Sequence, residues 1–296
     1  MNTSLAPNLT DAAMLVYVKI SVWSARKLDK KQTQLTIAGA GATNDAARVN
    51  KHLLANADAK LKEINRKANQ IRDFIETNTL PWDDAGNRLL SNDMALTVVG
   101  PLHQHEVEFA ALVDEFVAEY PVLRAQAVAN LGDMGDDSDY PQPDVVRGKF
   151  AVRISFSPVS LDFGDVRMGM TESQAKAWQS LHENNIKRQT NEALRSAYTR
   201  LITILERYSE RLTPRPDDLE KVQKFRSGMV DQMRETITAL ASLNVFGDPE
   251  LDRILQQLRK SVAPFEADHL RESVGTALLV KSEVDDCLRA MQELLG

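Results

Sequence analysis

The chain of 296 residues is 43% hydrophobic and 26% charged, ordinary proportions for a folded protein with one large core or two modest ones. Its net charge of −6 excludes a uniformly basic nucleic-acid coat but leaves room for a local basic groove, because binding follows where charge sits. A single cysteine, Cys287, excludes an intramolecular disulfide and a cysteine-based zinc site, and its place in a C-terminal helical pattern reads as a buried small apolar residue in a reducing compartment. The N-terminus lacks the basic segment and clean apolar run of a secretory leader, and no apolar stretch approaches the ~20 residues that span a bilayer. These features predict a cytoplasmic protein with no membrane partner.

Residues 1–13 read as a loose arm. The run from Leu15 to Thr33 joins an apolar strand to a basic segment. Val16, Val18, Ile20 and Val22 alternate with Tyr17, Lys19, Ser21 and Trp23, the period of a β-strand. Residues 24–34 are charged and fit a short helix or an edge. Gly39 and Gly41 punctuate the chain, and from about Asn44 to Thr77 the apolar residues, Val49, Leu53, Leu54, Leu61, Ile64, Ile71, Phe74 and Ile75, recur at helical spacing. Residues 88–99 predict a hairpin. A second helical tract covers roughly 103–130, broken before Pro121. Residues 132–144 form an acidic loop rich in Gly and Pro. Lys149–Ser157 alternates like the first strand, with Phe150, Val152, Ile154 and Phe156 on one face, and is its expected sheet mate.

The remainder reads as helix. A long amphipathic pattern covers 172–212, the Thr213-Pro-Arg-Pro216 elbow breaks it, and further helices fit 217–244, 249–261 and 266–295. The expected fold class is α+β, mostly α: long antiparallel helices with a small sheet formed by strands of the N-terminal half. The expected division is a mixed domain over 1–165, with the sheet and a helical hairpin, and a helical domain over 166–296 with a long helical arm.

Catalytic and metal patterns fail on spacing. Gly39-Ala-Gly41-Ala-Thr43-Asn44 lacks the third glycine and the βαβ setting of a dinucleotide fingerprint, and reads as a loop leading to a cap. On a helix His103 and Glu106 share a face while His105 diverges, so His103-Gln-His105-Glu106 reads as a solvated helix start. Asp133, Asp136, Asp137, Asp139 and Asp144 lack calcium-loop spacing. They read as a solvated loop, or as charges that mimic nucleic acid or screen a basic groove of the same molecule. No Gly-x-Ser-x-Gly elbow occurs. The expectation is no catalytic residue, no metal and no cofactor.

Arg26, Lys27, Lys30 and Lys31 carry one acid among them, Asp29. With Trp23 and Tyr17 nearby, and Lys149 and Arg153 on the partner strand, they have the parts of a single-stranded nucleic-acid surface: cations for phosphates and an aromatic face for a base. The alternative is a solvated strand end whose lysines prevent edge-to-edge pairing. The helix over 172–212 mixes charges of both signs, which suits a salt-bridged exposed face and an arm for oligomerisation or partner binding.

The run Val18-Lys-Ile-Ser-Val-Trp-Ser-Ala-Arg-Lys-Leu28 resembles the opening of a phage and bacterial family known as domain of unknown function 3150. In that family a strand ending in a Trp-x-x-Arg-like element precedes helices, a second strand region and a helical C-terminal half. The resemblance implies a phage or mobile-element origin and a partner-binding role, since members occur near chelatase-like AAA ATPases and von Willebrand-type proteins. It brings no catalytic residues. The expected function is a non-enzymatic, oligomeric interaction or assembly protein. The alternative is a single-stranded DNA-binding or recombination-associated protein that uses the basic strand end.

Overall fold

The alternating apolar run does form a strand, β1 (Ala13–Ser21), entered from a single turn of helix, α1 (Leu9–Ala12). It does not run straight into the basic segment. Ala25 takes a φ of 49°, the left-handed region that costs an L-residue roughly 1–2 kcal/mol, and the chain bends there into a separate strand, β2 (Arg26–Leu28). The structure, a computed structural model, describes residues 9–159, 171–215, 219, 222, 223 and 226–295.

After β2 come α2 (Lys30–Gly39) and β3 (Asn50–His52), then α3 (Ala59–Asn78), β4 (Leu80–Pro81) and β5 (Arg88–Ser91). The expected helix from Asn44 therefore starts fifteen residues late. Asp45 and Asn56 both hold positive φ, which a helix cannot contain, and residues 50–52 pair antiparallel with β2 instead. Leu53 and Leu54 are buried, so their place in the apolar stripe was real while the period was misleading.

The predicted hairpin over 88–99 is half right. β5 pairs with β4 and with β1, but Ala95 begins a 36-residue helix, α4 (Ala95–Asn130), that runs through both Pro101 and Pro121. Each proline removes one backbone hydrogen bond. The helix persists because Leu102, Phe109, Val113, Phe116, Tyr120 and Ala127, at spacings of three, four and seven, are all buried. Two short 3-10 turns, a short helix α5 (Pro143–Arg147) and β6 (Ala151–Pro158) follow. The expected sheet mates do pair: the four-stranded sheet has the order β4-β5-β1-β6, and β2 and β3 form a second, two-stranded sheet. The fold is α+β, mostly α, with all the named strands before residue 159.

The C-terminal part comprises α6 (Glu172–Leu212), α7 (Ser227–Leu243), α8 (Pro249–Ser261), α9 (Ala267–Glu272) and α10 (Val274–Leu295). Thr171 and Gln174 form a reciprocal capping box that fixes the start of α6. Helices α6 and α10 run antiparallel: Arg195 Nη2 donates to the Leu295 carbonyl at 3.0 Å, and ten residues earlier on α10 Asp285 accepts at 2.5 Å from Ser209 Oγ, which lies later on α6.

The chain divides into two compact units of interleaved segments. The first contains residues 1–17, 76–98 and 155–296, and the second contains 18–75 and 99–154. The expected cut between 165 and 166 falls on residues outside the described set and inside the first unit. The core of the first unit joins Leu80, Trp82 and Leu89 to Leu201, Leu205, Ile237, Ile254, Val280 and Met291. Arg200, at the side of α6, caps the last turn of α3 by donating to the carbonyls of Glu76 and Thr77, where the helix dipole favours a cation. Burial, with Arg88 nearby, pulls the Arg200 guanidinium down to about 10. In the second unit Trp23, Phe116, Tyr120 and Phe150 form an aromatic cluster with centroids 5.6–6.4 Å apart. Cys287 is buried, as expected, and burial pushes its thiol up to about 11.

Candidate functional site

The basic segment is the start of a small projecting element of the second unit. β2 pairs with β3 in the register Arg26↔His52, Lys27↔Lys51, Leu28↔Asn50, and α2 with its following loop fills the connection. Helix α2 buries no side chain. Asp29 caps it by accepting from the Gln32 N–H at 2.9 Å, and its own N–H donates to the Val49 carbonyl at 2.9 Å. Arg26, Lys30, Lys31 and Arg48 are exposed and make no ion pair among the described residues.

The predicted site residues divide. Arg26, Lys27, Lys30 and Lys31 are brought together on β2 and the first turn of α2. Lys149 and Arg153 are exposed, Arg153 on β6 in the other sheet and Lys149 in the turn before it, and they do not extend β2. Trp23 corrects the stacking expectation: it is only 8% exposed, its ring lies 5.8 Å from Tyr120 and 6.4 Å from Phe116, and no face is open to a base. Tyr17 is half-buried in the first unit, its ring 3.5 Å from the position a Cβ on Gly86 would take.

Sequence reading missed Lys51, Arg48 and the partner role of Asp139. Lys51 and Arg48 fell inside a segment read as helix. Asp139 was legible only as one of several acids. Its carboxylate pairs with Lys27 Nζ at 2.7 Å and with Lys51 Nζ, while Lys51 also lies 3.9 Å from Asp29. Burial opposes the Asp139 charge, but Lys27 and Lys51 outweigh it and hold its carboxyl below the usual range. The acidic loop thus screens a basic patch of its own chain. It is fastened at three further points: Arg124 pairs with Asp137, Lys51 Nζ donates to the Met134 carbonyl at 2.8 Å, and Tyr140 Oη donates to the Leu53 carbonyl at 2.6 Å.

A second polar cluster lies between α3 and α4. Lys67, 8% exposed, donates to His105 Nδ1 at 2.7 Å and to Glu108. Burial first, and then the Lys67 charge, hold the His105 imidazole below its ordinary value; hydrogen bonds from Lys67 and Gln104 hold Glu108 low. The sign follows. A histidine whose folded pKa is depressed is protonated first in the unfolded chain, so stability falls as pH drops through about 6.5 toward the folded value. The Glu108 contribution is lost at lower pH, as protonation passes its folded pKa below 4.5. The melting temperature is therefore expected to fall between about pH 7 and pH 6, and His105→Gln, which can still accept from Lys67, should flatten that drop. An unchanged slope in the variant rules His105 out as its source.

Ser209, Lys281 and Asp285 bring a hydroxyl, an amine and a carboxylate together, but as a lock between α6 and α10. Lys281 Nζ donates to Ser209 Oγ at 3.0 Å, the reverse of the proton transfer a base performs, and Ser209 is 8% exposed. In the first unit a cleft of about 570 Å³ is lined by Asp11, Ser91, Asn92, Asp93, Asn244 and Phe246, without a paired nucleophile and base. Among the described residues no group of three or more His, Cys, Asp or Glu side chains is placed to hold a metal, and no helix is long and apolar enough to cross a membrane.

In comparisons with known proteins the chain matches no family model, no curated protein and no solved structure.

Proposed function

We propose that this chain is a non-enzymatic assembly protein of phage or prophage type that self-associates in the cytoplasm through the N-terminal arm of α6. The arm carries the reading. None of residues 172–192 is buried, whereas Ala193, Leu194, Ala197, Tyr198, Leu201 and Leu205 all are. This run spans roughly 31 Å at 1.5 Å per residue, and within it Ile186 is half-buried against the core, so the free surface lies on the turns before it. It carries Trp178 and Leu181, which are 52% and 56% exposed, and a tryptophan so placed is the kind of anchor that interfaces bury. The capping box at Thr171 keeps the first turn wound without help from a core. A chelatase-like AAA ATPase is the protein partner that the resemblance of the N-terminal run would add.

The test is light scattering across a concentration series. The wild-type mass should rise above 33.0 kDa, and Trp178→Glu with Leu181→Glu should return it to that value. A wild-type mass fixed at 33.0 kDa throughout overturns the reading.

One observation favours a second reading, single-stranded DNA binding. Residues 26–52 hold six Lys or Arg (26, 27, 30, 31, 48 and 51) against two acids (29 and 45), in a chain whose net charge is −6. That local excess sits on an element that buries little apolar surface, and phosphate neutralisation would use it.

A further inference from the structure

We propose that Asp139 is an internal stand-in for a phosphate, and that the Asp137–Asp139 turn gates the β2–β3 element by competing with single-stranded DNA for Lys27; the inference rests on the second reading above. The geometry is that of an occupied anion site. One carboxylate bridges two ammonium groups on adjacent strands, and both Lys51 and Asp139 side chains are under a tenth exposed. Around it four cations stay unpaired among the described residues.

Lys30 and Lys31 open α2, with no acid in its first turn, although the positive end of the helix dipole disfavours cations there. That arrangement works against the stability of an exposed helix, and a polyanion lying along β2 and α2 relieves it. The turn itself is built to be exchanged rather than merely solvated. Tyr140 holds the chain after it through Leu53, and Arg124 holds Asp137, so the carboxylate of Asp139 can yield the half-exposed Lys27, with Lys51 kept in place by the Met134 carbonyl, without unfolding α4 or α5. A phosphate oxygen pair presents the same charge and the same acceptors to Lys27.

The experiment follows anisotropy of a fluorescein-labelled oligo-dT against a salt series. Asp139→Asn should bind several-fold more tightly at low salt, with a log–log salt slope steeper by about 0.7, since Lys27 then releases a counterion on a single strand while Lys51 stays on the Met134 carbonyl. Adding Lys27→Gln to Asp139→Asn should remove the extra slope, which separates a freed lysine from general loosening of the fold. Arg124→Gln, which loosens the turn and leaves Asp139 intact, should raise affinity by a smaller factor. If Asp139→Asn leaves affinity and slope unchanged, or weakens binding, the gate is overturned; the DNA reading then stands if Arg26→Ala, Lys30→Ala and Lys31→Ala together abolish wild-type binding. If neither the wild type nor Asp139→Asn binds at low salt, the DNA reading itself falls, and the gate with it.

Discussion

Leu205→Ala is expected to remove roughly 2–5 kcal/mol of stability, while Leu181→Ala on the same helix changes it by less than about 0.5 kcal/mol in dilute solution. Leu205 is fully buried in the core of the first unit, so truncation removes transfer free energy and leaves a cavity among residues that cannot all collapse into it. Leu181, at 56% exposure, has little to lose. Urea denaturation with an unchanged m-value reads both. Equal losses would mean that the arm of α6 is packed in the monomer, and the assembly reading would lose its surface.

The second large effect belongs to the second unit. Trp23→Ala should cost about 3–5 kcal/mol, through the cavity and the lost ring contacts with Phe116 and Tyr120, and Trp23→Phe distinctly less. In the sequence Trp23 reads equally as a base-stacking platform, and this variant separates the two roles. Loss of a structural tryptophan lowers the unfolding midpoint and leaves the oligonucleotide salt slope alone. A wild-type midpoint combined with weakened DNA binding would restore the stacking role.

These residues also show where the sequence was legible. Strand β1 and its neighbour β6 were readable from the alternation of β-branched and aromatic residues with polar ones, although burial along β1 does not alternate, Ala13 and Val16 being buried and Met14, Leu15, Tyr17 and Val18 half-buried; the end of α6 was readable because a Pro-containing elbow closes it. What failed did so for long-range reasons. Val49, Leu53 and Leu54 fit a helical stripe, yet positive φ at Asp45 and Asn56 and pairing with β2 place them outside any helix. Met94–Val99 looked like a strand by local propensity, but Val98 and Leu102 are buried on a helix that the core sustains through two prolines. The site was legible as a charge cluster and not as a set of contacts. Composition revealed Arg26 to Lys31, but a bend at Ala25 decided that Trp23 turns inward, and only the tertiary pairing of β2 with β3 brought Lys51 to Asp139.

The interleaving of the two units has a consequence for how the chain is made. Every segment of the second unit has been synthesised by residue 154, whereas the first unit needs its pieces at 9–17 and 76–98 to wait for α6 to α10. On a ribosome that adds residues in order, the aromatic cluster around Trp23 is able to close while Leu80, Trp82 and Leu89 still have no core to enter. The order of synthesis therefore sets the order of closure. The exposed apolar residues of the early segments are the part of the nascent chain that a chaperone has reason to hold.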